Sequence, residues 1–279
     1  MFRKILIANR GEIAVRIIRA ARELGIATVA VYSTADKEAL HTLLADEAIC
    51  IGPGKATESY LNINAILSAA VLTEAEAIHP GFGFLSENSK FATMCEEVGI
   101  KFIGPSARVM DVMGDKINAR AQMIKANVPV IPGSDGEVHT AEEALTIAEK
   151  IGYPVMLKAS AGGGGKGIRK VKKAEDLVSA FETASSEAKA NFGNGAMYLE
   201  RVIYPARHIE VQILADQMGH VIHLGERDCS LQRNNQKVLE ESPSIAIGKT
   251  LRNEIGAAAV RAAESVGYEN AGTIEFLLD

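Results

Sequence analysis

Short apolar runs alternate with longer segments of helical periodicity through the first third of the chain. The apolar runs predict strands at residues 4–8, 26–32, 48–51, 76–79 and 101–103, with helices at 12–24, 60–74 and 86–98 between them. In the first helix, the apolar residues Ile13, Ile17, Ala20 and Ala21 fall on one side. Strands joined by helical crossovers form parallel sheets with helices on both faces, so an α/β domain is expected here.

Two polar or glycine-containing segments follow predicted strands of this sheet. Asn9, Arg10 and Gly11 end the first strand, and the segment 79–83 ends the fourth. Ligands of such sheets bind at the carboxyl ends of the strands. The first segment is nevertheless better explained as a loop and helix cap, and His79 as the residue that fixes the following turn.

The pattern is less regular between residues 107 and 200. A helix over 107–127 is interrupted at 113–116, and a strand is predicted at 128–132. Thr140 and Glu143 have the spacing of a capping box for a helix that ends at Gly152. A strand ending at Lys158, a helix at 174–190 and a strand at 196–200 complete a small α+β lobe.

Alternation with a period of two begins at Arg207 and indicates an antiparallel sheet. The two faces of the first strand carry Ile209, Val211 and Ile213 on one side and His208, Glu210 and Gln212 on the other. A turn at 216–219, strands at 220–226 and 235–241, a helix at 250–266 and a strand at 273–278 follow. For an isolated strand, a solvated polar face would be the preferred explanation.

Two further features favour a functional role for that polar face. The segment 226–233 is dense in charge beside a half-apolar strand, and Glu275 stands between Ile274 and Phe276. A carboxylate at 275 would suit Mg²⁺ on a nucleotide, although one carboxylate is weak evidence by itself.

The stretch SAGGGGKG at 160–167 carries the strongest chemical signal in the chain. Glycines lose much backbone entropy on ordering, so such a run is typical of sites where a ligand approaches the main chain closely. Lys158, Lys166 and Arg169 flank it, which favours an anion such as a triphosphate. A flexible linker is the alternative, but strand-like alternation resumes at Ile168.

Two common phosphate-binding motifs do not fit this stretch. A Walker A loop requires Gly at 160 and Ser or Thr at 167, where Ser160 and Gly167 stand. A dinucleotide fingerprint requires a helix directly after the glycines, whereas a strand is predicted here. The pattern therefore predicts a hairpin that covers phosphates and opens and closes over a nucleotide.

Composition narrows the functional classes. The 279 residues are 47% hydrophobic with a net charge of −5, which is typical of a globular protein and disfavours nucleic acid as a partner. Cys50, Cys95 and Cys229 lack the spacing of a disulfide framework or a zinc site, so a reducing, cytoplasmic location is expected. No apolar run approaches the ~20 residues of a membrane span, and no secretory signal is visible.

Six segments, taken in order, resemble biotin carboxylases, the ATP-grasp component of acetyl-CoA carboxylase and related biotin enzymes. They are IANRGEIA at 7–14, AIHPGFGFLSEN at 77–88, GDK at 114–116, KASAGGGGKG at 158–167, ERDCS at 226–230 and GTIEF at 272–276. The resemblance covers residues 1–279, and the order of the motifs is far more specific than any one of them.

The resemblance implies a Rossmann-like N-terminal domain at residues 1–113 and an ATP-grasp domain at 114–279. Within the latter, a mobile lid lobe is expected at about 131–203 and an incomplete C-terminal lobe at 204–279, with ATP between them. Family chains continue through a second metal-binding Glu, an Asn, an Arg and a catalytic Glu, and Asp279 precedes all four. We therefore expect a fragment of a longer protein that turns over ATP very poorly by itself.

The resemblance also implies which residues bind the nucleotide. Lys116 and Lys158 would contact phosphates, with Gly164 and Gly165 under the flap. The adenine-binding hinge would consist of Glu200, Arg201, Val202 and Ile203.

A second set of residues is implied for the ribose, the metal and the substrate. His208 and Gln232 would lie near the ribose and the substrate site, Lys237 would hold bicarbonate, and Glu275 would bind Mg²⁺ or Mn²⁺. Asn235 stands where many members carry a histidine that reaches the nucleotide. An asparagine still forms hydrogen bonds there but cannot carry a charge.

The implied reaction joins bicarbonate to ATP, giving carboxyphosphate and ADP, and passes CO₂ to the ureido nitrogen of biotin on a carrier protein. The implied partners are the biotin carboxyl carrier protein, the carboxyltransferase subunits and a second copy of the full-length chain, with neither nucleic acid nor a membrane. Arg16, Arg19 and Glu23 share one side of a helix, which is either a solvated face or that homodimer surface.

Three alternatives remain open. The same module also begins multifunctional pyruvate and acyl-CoA carboxylases. Another ATP-grasp ligase, such as carbamoyl-phosphate synthetase, is more distant, because the segments 79–88 and 226–230 speak against it. A nucleotide-binding module without catalysis is the alternative from another functional class.

Overall fold

The computed structural model describes residues 1–114, 116–160, 168–233 and 236–279. The chain divides into two compact units. The first comprises residues 1–112 with 215–220 and 267–271, and the second comprises residues 113–214, 221–266 and 272–279. Among the helices of the described ranges, none combines the length and the apolar character needed to cross a membrane.

The first unit contains a five-stranded parallel sheet with the strand order β3-β2-β1-β4-β5. Its strands are β1 (Lys4–Ile7), β2 (Ala27–Ser33), β3 (Glu47–Gly52), β4 (Ala77–His79) and β5 (Lys101–Phe102). Its helices are α1 (Gly11–Glu23), α2 (Leu40–Leu44), α3 (Ile63–Leu72), α4 (Ser89–Glu97) and α5 (Ala107–Gly114). The parallel α/β architecture predicted for this region is confirmed.

Successive residues of β1 point to opposite faces of this sheet, and each face has its own core. Ile5 packs in a cluster with Ile18 of α1. Leu6 packs in another cluster with Ile66 of α3 and Phe91 of α4. Helices therefore cover both faces, as the crossover spacing predicts.

Two helices of this unit begin three residues later than predicted. The side chain of Asn62 accepts a hydrogen bond from the amide of Ala65 at 3.1 Å, and that of Asn88 accepts one from Phe91 at 2.9 Å. Each asparagine is thus the N-cap of its helix, which fixes the starts of α3 and α4.

The second unit contains a three-stranded antiparallel sheet with the order β7-β6-β8. The elements around it are α6 (Lys116–Lys125), α7 (Ala141–Ile151), β6 (Val155–Ala159), β7 (Arg169–Val171), α8 (Leu177–Phe192) and β8 (Met197–Arg201). Leu157 and Leu199 are buried in one cluster with Ala144 of α7 and Phe181 of α8. Both helices therefore pack on one face of this small sheet.

The strand predicted at 128–132 is wrong, because these residues, all of them described, have no regular structure. Pro129 and Pro132 lack the amide hydrogens that a strand ladder needs. The segment still meets the sheet, since the carbonyl of Pro132 accepts a hydrogen bond from the amide of Arg201 at 2.7 Å.

The predicted cap of α7 is present in a modified form. The hydroxyl of Thr140 accepts a hydrogen bond from the amide of Glu143 at 3.2 Å. The carboxylate of Glu143 accepts its bond from the amide of His139 at 3.1 Å, one residue before the cap. Gly152 ends the helix with a φ of 83°, as the sequence predicts.

The second unit also contains a four-stranded sheet with the order β11-β10-β9-β12. Its elements are β9 (Arg207–Ala215), β10 (Val221–Arg233), β11 (Gln236–Glu241), α9 (Lys249–Val266) and β12 (Asn270–Leu278). Ile209, Val211 and Ile213 are buried, which confirms the predicted apolar face of β9. Helix α9 packs against β10 through a buried face rich in alanine.

Candidate functional site

The predicted site residues that the structure describes form two groups, one at each sheet of the second unit. The first group belongs to β6, β8 and the residues after β8, and the second to β9, β10, β11 and β12. Gly164, Gly165 and Asn235 lie outside the described residues, and for Lys116 the description is limited to its position at the start of α6.

The first group centres on an ion pair across two antiparallel strands. The ammonium group of Lys158 on β6 donates a hydrogen bond to Oε2 of Glu200 on β8. Both side chains are partly buried. The ammonium group of Lys158 is therefore neutralised by a neighbouring carboxylate in this structure.

The three residues after Glu200 are Arg201, Val202 and Ile203. The amide of Arg201 donates to the carbonyl of Pro132, and the amide of Val202 donates to the carbonyl of Pro154 at 2.8 Å. Arg201 is exposed, whereas Val202 and Ile203 are half-buried. Main-chain contacts from two directions thus fix this segment.

The residue before the glycine-rich stretch is also fixed. The amide of Ser160 donates to the carbonyl of Ala196 at 3.0 Å, and its hydroxyl donates to Oε1 of Glu137 at 2.7 Å. The N-terminal end of that stretch is therefore attached to the three-stranded sheet.

The second group centres on the ammonium group of Lys237. This group, on β11, donates hydrogen bonds to Oε2 of Glu210 on β9 and, at 2.9 Å, to Oε1 of Glu275 on β12. The side chain of Glu210 is 4% exposed and that of Glu275 is 51% exposed. One cation is thus shared between a buried and a half-exposed carboxylate.

These contacts fix the charge states of Lys237 and Glu210. Burial by itself lowers the pKa of Lys237, but the hydrogen bonds to Glu210 and Glu275 outweigh it, and the pKa is raised. Burial by itself raises the pKa of Glu210, but the bonds from Lys237 and Arg227 outweigh it, and the pKa is lowered. At neutral pH the ammonium and the carboxylate are both charged.

Arg227 is the second cation of this cluster. Its Nε donates to Oε1 of Glu210, and its Nη2 donates to Oε1 of Gln212 at 3.1 Å. Oε2 of Glu240 lies 3.6 Å from Nε. The guanidinium group on β10 therefore connects this strand to β9 and β11.

Glu226 and Asp228, the residues on either side of Arg227, form their hydrogen bonds on the opposite side of β10. Glu226 accepts hydrogen bonds from Nε of Arg252 at 2.8 Å and from the amide of Ser244 at 3.1 Å. Asp228 accepts from Arg207 at 3.1 Å and from the hydroxyl of Ser244 at 3.0 Å. These two acids hold the segment after β11 in place, while Arg227 serves the polar site.

Cys229 is a buried residue of the sheet rather than a reactive thiol. Its side chain is fully buried, and this burial raises the pKa of the thiol to about 11. Potential ligand atoms of Cys229, Glu210 and Glu240 lie within 4.8 Å of one another. A neutral thiol and a carboxylate that already binds two cations do not form a metal site.

His208 and Gln232 lie beside Lys237. Nε2 of His208 is 3.5 Å from Oε2 of Glu275, and its buried Nδ1 has no hydrogen-bond partner within the described part of the chain. Gln232 on β10 is the register partner of Lys237, and the side-chain Nε2 of Gln232 donates to the carbonyl of Cys229 at 3.0 Å. Four predicted residues, His208, Gln232, Lys237 and Glu275, are therefore brought together.

Two residues of this cluster received no role from the sequence. Glu210 was placed only on the polar face of its strand, and Arg227 only in a charged segment. Glu210 lies on the same strand face as His208, and this pattern could have indicated that Glu210 belongs to the site. The contact of Arg227 with Glu210 depends on strand register, which no local pattern specifies.

The chain matches two family models. Residues 115–279 match the ATP-binding domain of the carbamoyl-phosphate synthase L chain, and residues 1–110 match the N-terminal domain of biotin carboxylase. The chain is 57% identical to biotin carboxylase 1 of Bacillus subtilis over 279 residues, which cover 100% of this chain and 62% of that relative. It is 55% identical to a pyruvate carboxylase subunit of Methanothermobacter thermautotrophicus, with 99% of this chain and 56% of that relative covered.

Solved structures give the same result. A Campylobacter jejuni biotin carboxylase in a β-γ-ATP complex superposes with a TM-score of 0.92 at 53% identity, over 100% of this chain and 63% of that one. The biotin carboxylase domain of Hydrogenobacter thermophilus 2-oxoglutarate carboxylase, a dimer with MgADP, ADP and bicarbonate, gives 0.89 at 52% identity, over 100% and 61%. The chain thus spans about three fifths of the length of the proteins that it matches.

Proposed function

This chain belongs to the biotin carboxylase family, of which it contains the N-terminal portion, and we propose that it binds ATP and bicarbonate for the carboxylation of biotin. In the proposed reaction a bicarbonate oxygen bonds to the γ-phosphorus of ATP, ADP leaves, and carboxyphosphate forms. Carboxyphosphate then releases phosphate and CO₂, and the ureido nitrogen of biotin gives its proton to that phosphate and bonds to the carbon of CO₂. We assign the residues of this chain to the first step, the formation of carboxyphosphate.

The observation that carries the proposal is the shared ammonium group of Lys237. Two carboxylates compete for it, and one of them, Glu275, is half exposed. The ammonium group can therefore turn from Glu275 to an incoming anion while Glu210 stays paired with Arg227. A compact cation on a long flexible stem suits a small anion such as bicarbonate.

Phosphoryl transfer needs aligned reactants and compensated charge more than covalent participation of the protein. Lys237 would hold bicarbonate, and Lys158 would exchange Glu200 for a phosphate oxygen. Exclusion of water would protect carboxyphosphate from hydrolysis.

Glu275 fits a magnesium site. It offers hard carboxylate oxygens, it is half exposed, and its hydrogen bond in this structure is to Lys237, which has a second acceptor. When bound, Mg²⁺ or Mn²⁺ would neutralise phosphate charge during the attack of bicarbonate. A second carboxylate for the ion is not assigned among the described residues.

Nδ1 of His208, which has no hydrogen-bond partner among the described residues, supports a nucleotide at the same place. A buried polar atom is costly unless it is paired, and a bound ligand that donates a hydrogen bond would satisfy it. A ribose hydroxyl would supply it. Gln232 would contact the substrate beside Lys237, and the segment from Glu200 to Ile203 would receive adenine.

Four further assignments stay predictions. They are Lys116 as a phosphate contact, Gly164 and Gly165 under the flap, and Asn235 near the nucleotide.

The wider context is also proposed. We place the reaction in the first half of acetyl-CoA carboxylase, hence in fatty acid synthesis in the cytoplasm. A biotin carboxyl carrier protein, carboxyltransferase subunits and a second copy of the chain would be its partners. One similar protein is a pyruvate carboxylase subunit and another is a domain of a 2-oxoglutarate carboxylase, so the alternative is a subunit of a carboxylase that acts on such an acid.

The rates at which the full-length protein carboxylates the carrier proteins of the two enzyme types would separate these possibilities.

Calorimetric titration of the 279-residue chain with ATP, with and without Mg²⁺, tests the proposal. We expect saturable binding that Mg²⁺ strengthens. Lys158→Gln should weaken it about tenfold, the loss of one charge-assisted contact. Lys173→Gln is the matched control, because Lys173 is an exposed lysine paired with Glu175. The proposal fails if millimolar ATP does not bind, or if the two variants bind alike.

A further inference from the structure

Arg227 and Lys237 bind opposite oxygens of the same buried carboxylate. Arg227 donates to Oε1 of Glu210, and Lys237 donates to Oε2. Glu210 is 4% exposed, so water cannot replace either cation readily. Removal of both would leave a buried carboxylate without compensation, which is strongly destabilising.

The two cations differ in their freedom to move. Arg227 is held by a fork, since Nη2 also binds Gln212, and Glu240 lies close to Nε. Lys237 has its other contact with Glu275, which is 51% exposed and can be hydrated instead. The geometry thus contains one fixed cation and one that can exchange its partner.

We propose that Arg227 is a positioning residue: it supplies the permanent counter-charge of Glu210, which frees Lys237 to leave that carboxylate for an anionic substrate. The proposal rests on the role of Lys237 given above, and it explains why a second cation binds the same carboxylate as that lysine. Without Arg227, Lys237 would be the remaining cation on Glu210 and would be held there.

A second buried carboxylate of the sheet is bound by an arginine and, within the described residues, by no lysine, and it serves as the control. On the opposite side of β10, Glu226 is 2% exposed and is bound by Arg252. The two arginines are equally accessible, at 29% for Arg227 and 32% for Arg252. Variants of Arg252 therefore control for the loss of an arginine from a buried carboxylate.

The test is the affinity of the chain for bicarbonate, measured by calorimetric titration in the absence of nucleotide. In Arg227→Met, bicarbonate should bind at least about tenfold more weakly than to the parent chain, which is the loss of one charge-assisted contact with Lys237. In Arg252→Met the affinity should be unchanged.

Two further variants make the result decisive. Arg227→Lys keeps the charge and should restore the affinity of the parent chain to within about twofold. Arg227→Gln keeps a hydrogen bond without the charge and should behave like Arg227→Met, which also covers the case in which the methionine variant does not fold. The proposal is overturned if Arg227→Gln and Arg252→Met bind bicarbonate equally well, or if Arg227→Lys binds it as weakly as Arg227→Gln. Failure of the parent chain to bind bicarbonate would instead contradict the proposed role of Lys237, so the two failures are distinguishable.

Discussion

Two polar networks in this chain differ in how completely their charges are paired. In the first unit, Asp36 accepts hydrogen bonds from Nε of Arg10 at 2.8 Å, from the hydroxyl of Tyr60 at 2.6 Å and from that of Ser33 at 3.1 Å. In the second unit, Lys237 is divided between two carboxylates, and His208 has a buried nitrogen without a partner in the described ranges.

The paired network holds a loop. The ring of Tyr60 stacks on that of Phe84 with centroids 5.1 Å apart. The side-chain amide of Asn9 donates to the carbonyls of Pro80 and Phe82, both at 2.8 Å. His79 adds a hydrogen bond from the amide of Gly81 to its Nδ1 at 3.1 Å, so it fixes the turn as predicted.

The contrast separates two uses of charge. Where every donor has an acceptor, removal of one group costs stability because its partners become unpaired. Where a cation is shared and partly exposed, the same removal costs little stability but abolishes a ligand contact. Substitutions in the two networks should therefore have opposite signatures.

The largest effect is expected from Gly81→Ala in the paired network. Gly81 has a φ of +65°, and an added Cβ would lie 2.6 Å from Nδ2 of Asn9. Left-handed strain and the collision together should cost about 3 kcal/mol in the free energy of unfolding. Urea denaturation followed by circular dichroism measures this loss.

Gly83→Ala is the matched control for that variant. Gly83 has nearly the same φ, +68°, but apart from its two chain neighbours no described residue comes within 4 Å of an added Cβ. Its cost should therefore be limited to the backbone strain of about 1 kcal/mol. Equal losses for the two alanines would show that Asn9 does not constrain the loop.

Asp36→Ala should have the next largest effect. It removes one acceptor from three donors, of which Arg10 is half exposed and can be hydrated. We expect a loss of about 2 kcal/mol in the free energy of unfolding, with unchanged ATP affinity. Asp36→Asn keeps an acceptor and should lose about half as much. A drop in ATP affinity in both variants would instead make Asp36 part of the ligand site.

Local patterns predicted the parts of this architecture that repeat along the chain. The strands and the longer helices of the first unit follow from their periodicity, whereas the five-residue helix α2 (Leu40–Leu44) was not predicted. The two faces of β9 follow from alternation at Ile209 and Glu210. The strand wrongly predicted at 128–132 shows the limit, because an apolar run with Pro129 and Pro132 cannot form a ladder.

The networks themselves were not predictable in this way. Asp36 meets Tyr60 across 24 residues of sequence, and Arg227 meets Glu210 across 17. Such contacts depend on register and on packing between elements rather than on spacing. The resemblance to a family supplied Lys237 and Glu275 as site residues, whereas the counter-charge role proposed for Arg227 required the three-dimensional arrangement.

Acid should weaken the paired network in a defined direction. The hydrogen bond from Arg10 is the main cause that lowers the pKa of Asp36, and Tyr60 and Ser33 add to it, while burial opposes them. A carboxyl whose pKa is lower in the folded than in the unfolded protein contributes stability that is complete above the unfolded value, near 4, and is lost below it.

Chemical denaturation at several pH values tests this assignment. The difference in stability between the parent chain and Asp36→Asn should be constant between pH 7 and about 5, and should shrink as the pH falls below about 4. A difference that persists unchanged at pH 3 would mean that the Asp36 carboxylate does not carry the stabilisation.

The smallest effect on stability is expected from Lys237→Met, in spite of its central place in the site. Glu210 keeps Arg227 as its counter-ion, and Glu275, half exposed, becomes hydrated. The free energy of unfolding should therefore change by less than about 1 kcal/mol, as for an exposed ion pair. Lys173→Met, which breaks an exposed pair with Glu175, gives the reference value. If Lys237→Met lost more than about 2 kcal/mol, the range of a structural buried pair, Lys237 would belong with Asp36 among the residues that hold the fold, and its assignment to an anionic substrate would lose its physical basis.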